Sequence, residues 1–270
     1  YNEILVNNSA NEIRSLGIFS NVISETIDGS SDKNKIINFT VTEAPTGEIM
    51  AGAGTGTSGS SVTFGIKEKN FLGEGTRLDA NLTLSDIGVE GLFSTNIRNY
   101  KNSDKDLNTS LENSSVDQMT NYGYKTTKTG FSIGTTYEQF KDVYFSPSFS
   151  NYYETMKTDS SASSTRKKQE GDYIDSAFNY RFILNRLDQN FQPTDGYKSS
   201  FSQSIPLVSD DYAIINALEY AAYQRFKDDY IFGFNFLFKS SNSLNGEDIR
   251  ASKRLYVPSR RLRGFESGKV

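Results

Sequence analysis

Tyr230-Ile-Phe-Gly-Phe-Asn-Phe-Leu-Phe-Lys239 is the stretch of sequence that decides the fold. Phenylalanine occupies every second position from 232 to 238, and Gly233, Asn235 and Lys239 lie on the alternate positions. Successive side chains of an extended chain point to opposite faces, so the stretch predicts a strand with one aromatic and one polar face. A soluble strand usually has about five or six residues, whereas a tilted strand that crosses a bilayer needs about 9–11. The stretch therefore indicates a membrane-crossing strand.

The same period-two alternation recurs along the chain from Thr46 onward. Eleven runs show it, and several extend over ten to fifteen residues. The runs cover residues 46–56, 60–69, 76–86, 89–98, 107–117, 122–138, 142–157, 172–186, 197–206, 212–226 and 229–241. They predict a transmembrane β-barrel of antiparallel strands, with the phenylalanines at 232–238 facing lipid and Asn235 and Lys239 facing the lumen.

The connections and the tyrosines of the chain fit the same prediction. Short connections such as 138–142 alternate with long polar ones such as 157–172 and 241–270, as expected for turns at one end of a barrel and loops at the other. Tyrosines recur near predicted strand ends, where barrels carry aromatic girdles. These tyrosines are Tyr122, Tyr137, Tyr144, Tyr152, Tyr197, Tyr212 and Tyr230.

Composition narrows the possible functions. The 270 residues contain no Cys and no His, which excludes within them a Ser-His-Asp triad, a cysteine nucleophile, a disulfide and a zinc site of the usual ligands. Lys and Arg number 29 against 33 Asp and Glu, and this net charge of −4 argues against a nucleic-acid binder. The mean hydropathy of −0.55 fits a barrel, in which only alternate residues are apolar. A soluble β-sandwich also alternates, but its strands are shorter.

Residues 1–45 follow a different pattern and predict a small α+β unit. Apolar residues at helical spacing predict a helix over 8–16, with Ser9 as its N-cap and Gly17 as the glycine that ends it. Residues 22–27 and 35–42 predict two strands joined by a turn. The unit is too short to hold a full hydrophobic core of its own.

The segment Gly54-Thr-Gly-Thr-Ser-Gly59 matches the G-x-G-x-x-G dinucleotide fingerprint, and Asp79 lies twenty residues beyond Gly59. That fingerprint must open a helix, yet residues 61–68 alternate as a strand does. We therefore interpret Gly52, Gly54 and Gly56 as part of a glycine-rich strand that ends in a tight hairpin. Glycines weaken a strand and permit another backbone to approach closely.

Five short motifs occur in order along the chain and carry a family resemblance. They are IRSLGIF at 13–19, VTEAPTG at 41–47, Asn70-Phe71-Leu72-Gly73-Glu74-Gly75, the turn from Leu187-Asp188 to Pro193-Thr194-Asp195-Gly196, and Leu262-Arg263-Gly264-Phe265. Together they resemble the outer-membrane protein assembly superfamily, in which periplasmic POTRA domains precede a transmembrane β-barrel. The resemblance spans essentially the whole chain.

The resemblance implies a barrel of sixteen strands, of which this chain holds part. Residues 1–45 would be the C-terminal part of the last POTRA domain, in the periplasm. Residues 46–270 would be the N-terminal part of an outer-membrane barrel, with eleven strands, ending in the sixth extracellular loop. Because closure needs all strands, we expect an open sheet with free edges near 48–56 and 230–240.

The resemblance also implies a function without enzymatic chemistry, cofactor or metal. The family folds and inserts β-barrel proteins into the bacterial outer membrane. Its partners would be unfolded outer-membrane protein clients, assembly-machinery lipoproteins bound through the POTRA domains, and outer-membrane lipid, with no nucleic acid.

Two groups of residues would carry this function. The first strand would form one side of a lateral gate, since an unpaired strand edge is a template for an incoming strand. Its residues are Glu48, Ile49, Gly52, Gly54 and Gly56. The loop motif Leu262, Arg263, Gly264 and Phe265 would fold into the lumen, where Arg263 would meet a carboxylate from a later strand.

Several alternatives remain open. The chain would otherwise belong to a sister translocation barrel of the superfamily (TamA or a two-partner secretion transporter), or to a passive porin or receptor. The POTRA-like beginning and the Arg-Gly-Phe loop argue against a porin. The glycines of the first strand would otherwise only relieve crowding, and Arg260, Arg261 and Arg263 would otherwise form an exposed basic patch.

Overall fold

The computed structural model of the chain describes residues 2–31, 34–56, 59–189, 192–227, 230–255 and 257. An N-terminal unit consists of helix α1 (Glu3–Ser15) and the antiparallel strands β1 (Phe19–Asp28) and β2 (Lys35–Glu43). A single antiparallel sheet follows. In the described ranges we find no helix of the length and apolarity that a membrane crossing requires.

The N-terminal helix begins earlier than the sequence predicts. Asn2 caps it, because its side-chain oxygen accepts hydrogen bonds from the backbone N–H groups of Ile4 at 3.0 Å and Leu5 at 3.4 Å. Ser9, the predicted cap, lies inside the helix, so that prediction is wrong. An asparagine N-cap followed by an acidic residue in the first turn, here Asn2 and Glu3, stabilises the start of a helix. The helix therefore starts at this cap and not where the regular spacing of apolar residues begins. Gly17, with φ +70°, ends the helix as predicted.

All eleven strands predicted after Thr46 are present. They are β3 (Gly47–Gly56), β4 (Gly59–Phe71), β5 (Thr76–Ser85), β6 (Gly88–Ile97), β7 (Asp106–Gln118), β8 (Tyr124–Phe140), β9 (Val143–Thr158), β10 (Gly171–Leu187), β11 (Gly196–Val208), β12 (Ala213–Lys227) and β13 (Tyr230–Ser243). Each pairs with its neighbours in sequence, in the order β13 to β3. The G-x-G-x-x-G segment lies in the hairpin of β3 and β4, with Gly56 opposite Gly59, so it is no nucleotide loop.

The strand register divides the sheet into two faces. Phe234, Phe236 and Phe238 lie opposite Ala222, Tyr220 and Leu218 of β12. We call the face with these three phenylalanines and Phe232 the outer face, and all four side chains remain substantially exposed. Asn235 and Lys239 lie opposite Ala221 and Ala217 on the other face, which we call the inner face. The predicted separation of aromatic and polar sets is therefore confirmed.

The inner face is polar, and its side chains hydrogen-bond from strand to strand. One such row runs over four strands: Asn96 donates to Asn108 at 2.8 Å, Asn108 donates to Thr136 at 3.0 Å, and Thr136 lies 2.9 Å from Ser146. Tyr152 also lies on this face, where its hydroxyl donates to Glu112 at 3.2 Å. Tyr152 is therefore not part of an outer aromatic girdle, contrary to the prediction, because the register places position 152 inward.

The two ends of the sheet differ less than the sequence predicts. We call the end with the turns at 72–75 and 188–195 the turn end, and the opposite end the loop end. The loop end carries the long connection 159–170, which includes the short helix α3 (Ser164–Lys167), but also the two-residue connection of Asp86 and Ile87. Conversely, residues 98–105 form a longer connection at the turn end. The predicted alternation of short turns and long loops is thus only partly correct.

Candidate functional site

The first strand of the sheet, β3, is an edge strand. Among the described residues it pairs with β4 alone, and β13 forms the opposite edge, so the sheet is open as predicted. Glu48 is held by an ion pair with Lys69, whose ammonium lies 2.8 Å from the carboxylate. Ile49 points to the outer face and is 87 % exposed. The strand therefore offers a backbone edge that is free of pairing within the described chain.

Gly52 and Gly54 of β3 do not accommodate a neighbour in the described part of the chain. A Cβ placed on Gly52 or Gly54 would have no heavy atom within 4 Å. Gly65 on the adjacent strand is different, because a Cβ there would lie 2.5 Å from the Asn81 side-chain oxygen. Crowding among the described residues thus gives no reason for glycine at 52 and 54. For Gly56 we describe only the backbone, which pairs with Gly59.

The turn from Asn70 to Gly75 is built by its own residues. The Asn70 side chain accepts a hydrogen bond from the Gly75 backbone N–H at 2.6 Å, and the Asn70 carbonyl accepts one from Gly73 N–H at 2.9 Å. Leu72, Gly73 and Gly75 all have positive φ, at 57°, 76° and 69°. Such backbone conformations favour glycine, which occupies two of the three positions. Phe71 ends β4. The motif is thereby explained as turn chemistry.

The turn between β10 and β11 is organised by Asp188. Its carboxylate accepts hydrogen bonds from the Thr194 hydroxyl at 2.6 Å, the Thr194 backbone N–H at 3.0 Å and the Asp195 backbone N–H at 3.1 Å. These bonds, led by that from the Thr194 side chain, lower the pKa of Asp188 to about 2. Pro193 precedes these donors, and Gly196 starts β11 with φ +93°. The turn lies at the same end of the sheet as the Asn70 turn.

A buried ion cluster on the inner face was not predicted from the sequence. Arg250, in the segment after β13, is 2 % exposed. Its guanidinium pairs with Asp175 of β10 and lies 3.3 Å from an Asp211 carboxylate oxygen and 3.7 Å from one of Glu154 in β9. Lys253 lies 2.7 Å from Asp175 and also pairs with Asp211. Two cations therefore meet three carboxylates.

The loop motif Leu262, Arg263, Gly264 and Phe265 lies outside the described residues, as do Arg260 and Arg261. The sequence predicted a lumenal carboxylate for Arg263, from a later strand, and that prediction stays untested. It did not single out Arg250. The only signal was on the carboxylate side, since Glu154 and Asp175 are acidic residues within long strands.

The open eleven-stranded antiparallel sheet, apolar outside and polar inside, with a loop segment seated on its inner face, defines the fold class of transmembrane β-barrels. The family model described as the Omp85 superfamily domain matches residues 70–270. The chain belongs to the Omp85 superfamily.

Individual relatives agree with this family. The chain is 26 % identical over 215 residues to a protein named outer membrane protein assembly factor BamA from Neorickettsia risticii (strain Illinois), a match over 78 % of this chain and 29 % of that protein. Its fold is similar to that of BamA from Haemophilus ducreyi lacking POTRA domains 1–3, with a TM-score of 0.75, 18 % identity and 90 % and 50 % of the two chains covered. CdiB from Acinetobacter baumannii gives a TM-score of 0.59 at 11 % identity, over 94 % and 49 % of the chains.

The chain thus spans less than a third of that BamA relative and about half of each of these two solved chains.

Proposed function

We propose that this chain is part of an outer-membrane β-barrel assembly factor that folds and inserts other barrel proteins by strand templating. The observation that carries the proposal is the weak packing of β3, the first strand of the sheet: a Cβ on Gly52 or Gly54 would meet no heavy atom within 4 Å among the described residues. An edge strand presents a row of unpaired N–H and C=O groups to which an extended client strand can add. Glu48, Ile49, Gly52, Gly54 and Gly56 are the proposed gate residues.

The composition of β3 supports this role. Because Gly52 and Gly54 have no side chains, β3 makes few packing contacts on the inner face. A partner strand paired with its edge is therefore replaced by another strand at a low cost in free energy. In the same proposal the turns at Asn70, Phe71, Leu72, Gly73 and Gly75 and at Asp188, Pro193 and Gly196 face the periplasm. The first turn fixes the register of the β4–β5 hairpin next to the gate, and the second fixes that of the β10–β11 hairpin.

The rest of the proposal concerns location and partners. We place the chain in the bacterial outer membrane, with residues 1–45 as the C-terminal part of the last POTRA domain in the periplasm. The exposure of Ile36, Phe39 and Val41 on β2 supports an N-terminal unit that further residues of the same domain would cover. The proposed partners are unfolded outer-membrane protein clients, assembly lipoproteins through the POTRA domains, and outer-membrane lipid.

Site-directed disulfide formation tests the gate. The 270 residues contain no cysteine, so Ala51→Cys on β3 provides a single reporter, and Ala80→Cys on the interior strand β5 is the matched control on the same face. The full-length protein is expressed in cells with a stalled client barrel that carries cysteines along its terminal strand. We expect oxidation to link the client to position 51 and not to position 80. Equal linkage of both positions, or of neither, would contradict the proposal.

A sister translocation barrel is the second candidate, and the fold similarity to CdiB favours it. The two candidates differ in what the barrel does with its partner. A translocation barrel passes a secreted polypeptide through its lumen, whereas an assembly factor leaves client barrels in the membrane. Depletion of the full-length protein in cells separates them: general loss of outer-membrane barrels supports assembly, and loss of one secreted protein supports translocation.

A further inference from the structure

The segment that follows β13 turns onto the inner face of the sheet at the loop end. Leu244 N–H donates to the Tyr212 carbonyl at 2.7 Å, and Arg250 N–H donates to the Asp211 carboxylate at 3.2 Å. Ala251 N–H donates to the Gln169 side chain at 3.1 Å. The segment is therefore attached to two different connections of the loop end, 209–212 and 159–170.

Side chains of the segment hold it more tightly than these backbone contacts do. The Arg250 guanidinium pairs with Asp175 and lies 3.9 Å from the centre of the Tyr173 ring, which adds a cation–π contact. Ser252 donates to Glu154 at 3.0 Å, and the Lys253 ammonium donates to Ser209 at 2.9 Å. These contacts join residues 44 to 98 positions apart in sequence.

The burial of the cluster makes its charges interdependent. Arg250 and Glu154 are both nearly inaccessible, and Arg250 Nε and Nη1 and Glu154 Oε1 lack a hydrogen-bond partner among the described atoms. Removal of one partner from such a pair leaves an uncompensated buried charge, which is strongly unfavourable. Loss of either charge of the Arg250–Asp175 pair is therefore expected to weaken the attachment of the segment.

A cavity with polar and apolar lining residues lies beside the cluster. It has a volume of about 480 Å³ and is lined from the sheet by Ser150, Asn179, Ser204 and Ala213. Ser252, Lys253 and Leu255 line it from the segment. Ala213, the first residue of β12, is only 6 % exposed. The seated segment thus forms one wall of this space at the loop end.

We propose that Arg250 and Lys253 form a charge clasp with Glu154, Asp175 and Asp211 that seats residues 248–255 on the inner face and shields Ala213, in the wall of this cavity, from solvent. The clasp differs from the contact expected of Arg263, because its carboxylates come from β9, β10 and the connection between β11 and β12. It is independent of whether the protein assembles or translocates its partners.

Thiol accessibility of Ala213→Cys in the full-length protein, reconstituted in liposomes, tests the clasp. The probe is a membrane-impermeant maleimide. We expect slow labelling in the otherwise unchanged protein, and labelling roughly tenfold faster or more with Arg250→Met, which keeps the apolar stem and removes the charge. Asp175→Asn should act in the same direction. The double variant should label no faster than the faster single variant, because the two residues act as one pair.

Asp248→Asn is the matched control. Asp248 belongs to the same segment and pairs with Arg254 at 2.7 Å, but both side chains are exposed and Asp248 does not line the cavity, so its loss should leave labelling unchanged. Protection of position 213 that persists in Arg250→Met and Asp175→Asn would overturn the clasp, as would equal acceleration by Asp248→Asn. If Arg250→Met does not fold, as judged by heat-modifiable gel mobility, Lys253→Met is measured in its place and decides by the same criteria.

Discussion

Asp188 organises a turn through hydrogen bonds that its ionised form accepts on both carboxylate oxygens. Its lowered pKa of about 2 means that its stabilising contribution is present above the unfolded pKa of about 4 and is lost as pH falls through about 2. We predict that Asp188→Asn lowers the melting temperature of the full-length protein at pH 7 and flattens its decline between pH 4 and pH 2. Thermal melts followed by circular dichroism measure both. Asp195→Asn, an exposed neighbour, is the control, and an equal effect of the two substitutions would refute the role of Asp188.

Gly196 occupies a position that excludes a side chain. Its φ is +93°, and a Cβ would lie 2.0 Å from the Arg186 carbonyl oxygen. We predict that Gly196→Ala destabilises the folded protein by about 2 kcal/mol or more, through backbone strain and displacement of the β10–β11 hairpin. Gly52→Ala is the control, since a Cβ there meets nothing within 4 Å. Denaturant titrations in lipid that found Gly196→Ala as stable as Gly52→Ala would contradict this explanation.

Arg263 remains a residue whose role rests on its motif. We predict that Arg263→Ala in the full-length protein reduces outer-membrane barrel levels in cells, because a lumenal carboxylate would lose its bidentate partner. Arg260→Ala should be nearly silent. Quantification of outer-membrane barrels after depletion of the unaltered protein compares the two variants. Equal, negligible effects would leave the exposed basic patch as the explanation.

Residue-scale prediction from the sequence succeeded where the chemistry is local. The Asn70 and Asp188 turns could be read because glycine, proline and the accepting side chains lie within a few positions of one another. The clasp could not be read, because Arg250 and Asp175 are 75 positions apart and nothing in the sequence selects Arg250 from the other cations of the loop.

At the scale of elements, the strand β13 places its phenylalanines on the outer face. We predict that Phe234→Arg costs about 2–4 kcal/mol of folding free energy in a bilayer, because it places a charge near the middle of the apolar face. Asn235→Arg, one position away on the inner face, should cost much less. Folding titrations of the full-length protein in lipid vesicles provide the comparison. Equal costs would show that the outer face does not contact lipid.

The elements themselves were largely predictable. Period-two alternation over ten or more residues placed all eleven strands, because one apolar face leaves a single register for each strand. The start of α1 was missed, since a helix end depends on one capping side chain, here Asn2, and apolar spacing does not reveal it. The inward position of Tyr152 was missed because the prediction used only the recurrence of tyrosines along the chain. That recurrence does not specify which face of the sheet a tyrosine occupies.

At the scale of the whole molecule, the open sheet followed from the strand count, and the inner seat of the loop segment did not. Strand number comes from repeated local signals, whereas the seat depends on connections and strands that only the fold brings together. The edge position of β3 belongs with the predictable features, because the first strand of a partial barrel has only one neighbour in sequence.

The central claim is that the free edge of β3 accepts a client strand through backbone hydrogen bonds. Amide hydrogen exchange of the full-length protein in lipid, with and without a peptide of a client's terminal strand, measures this directly. Alternate β3 amides do not bond to β4. At a weakly paired gate they should exchange faster than β5 amides in the absence of the peptide and become protected when it is added, while β5 amides stay protected throughout. Unchanged exchange along β3, with the peptide shown to be bound elsewhere, would contradict the account.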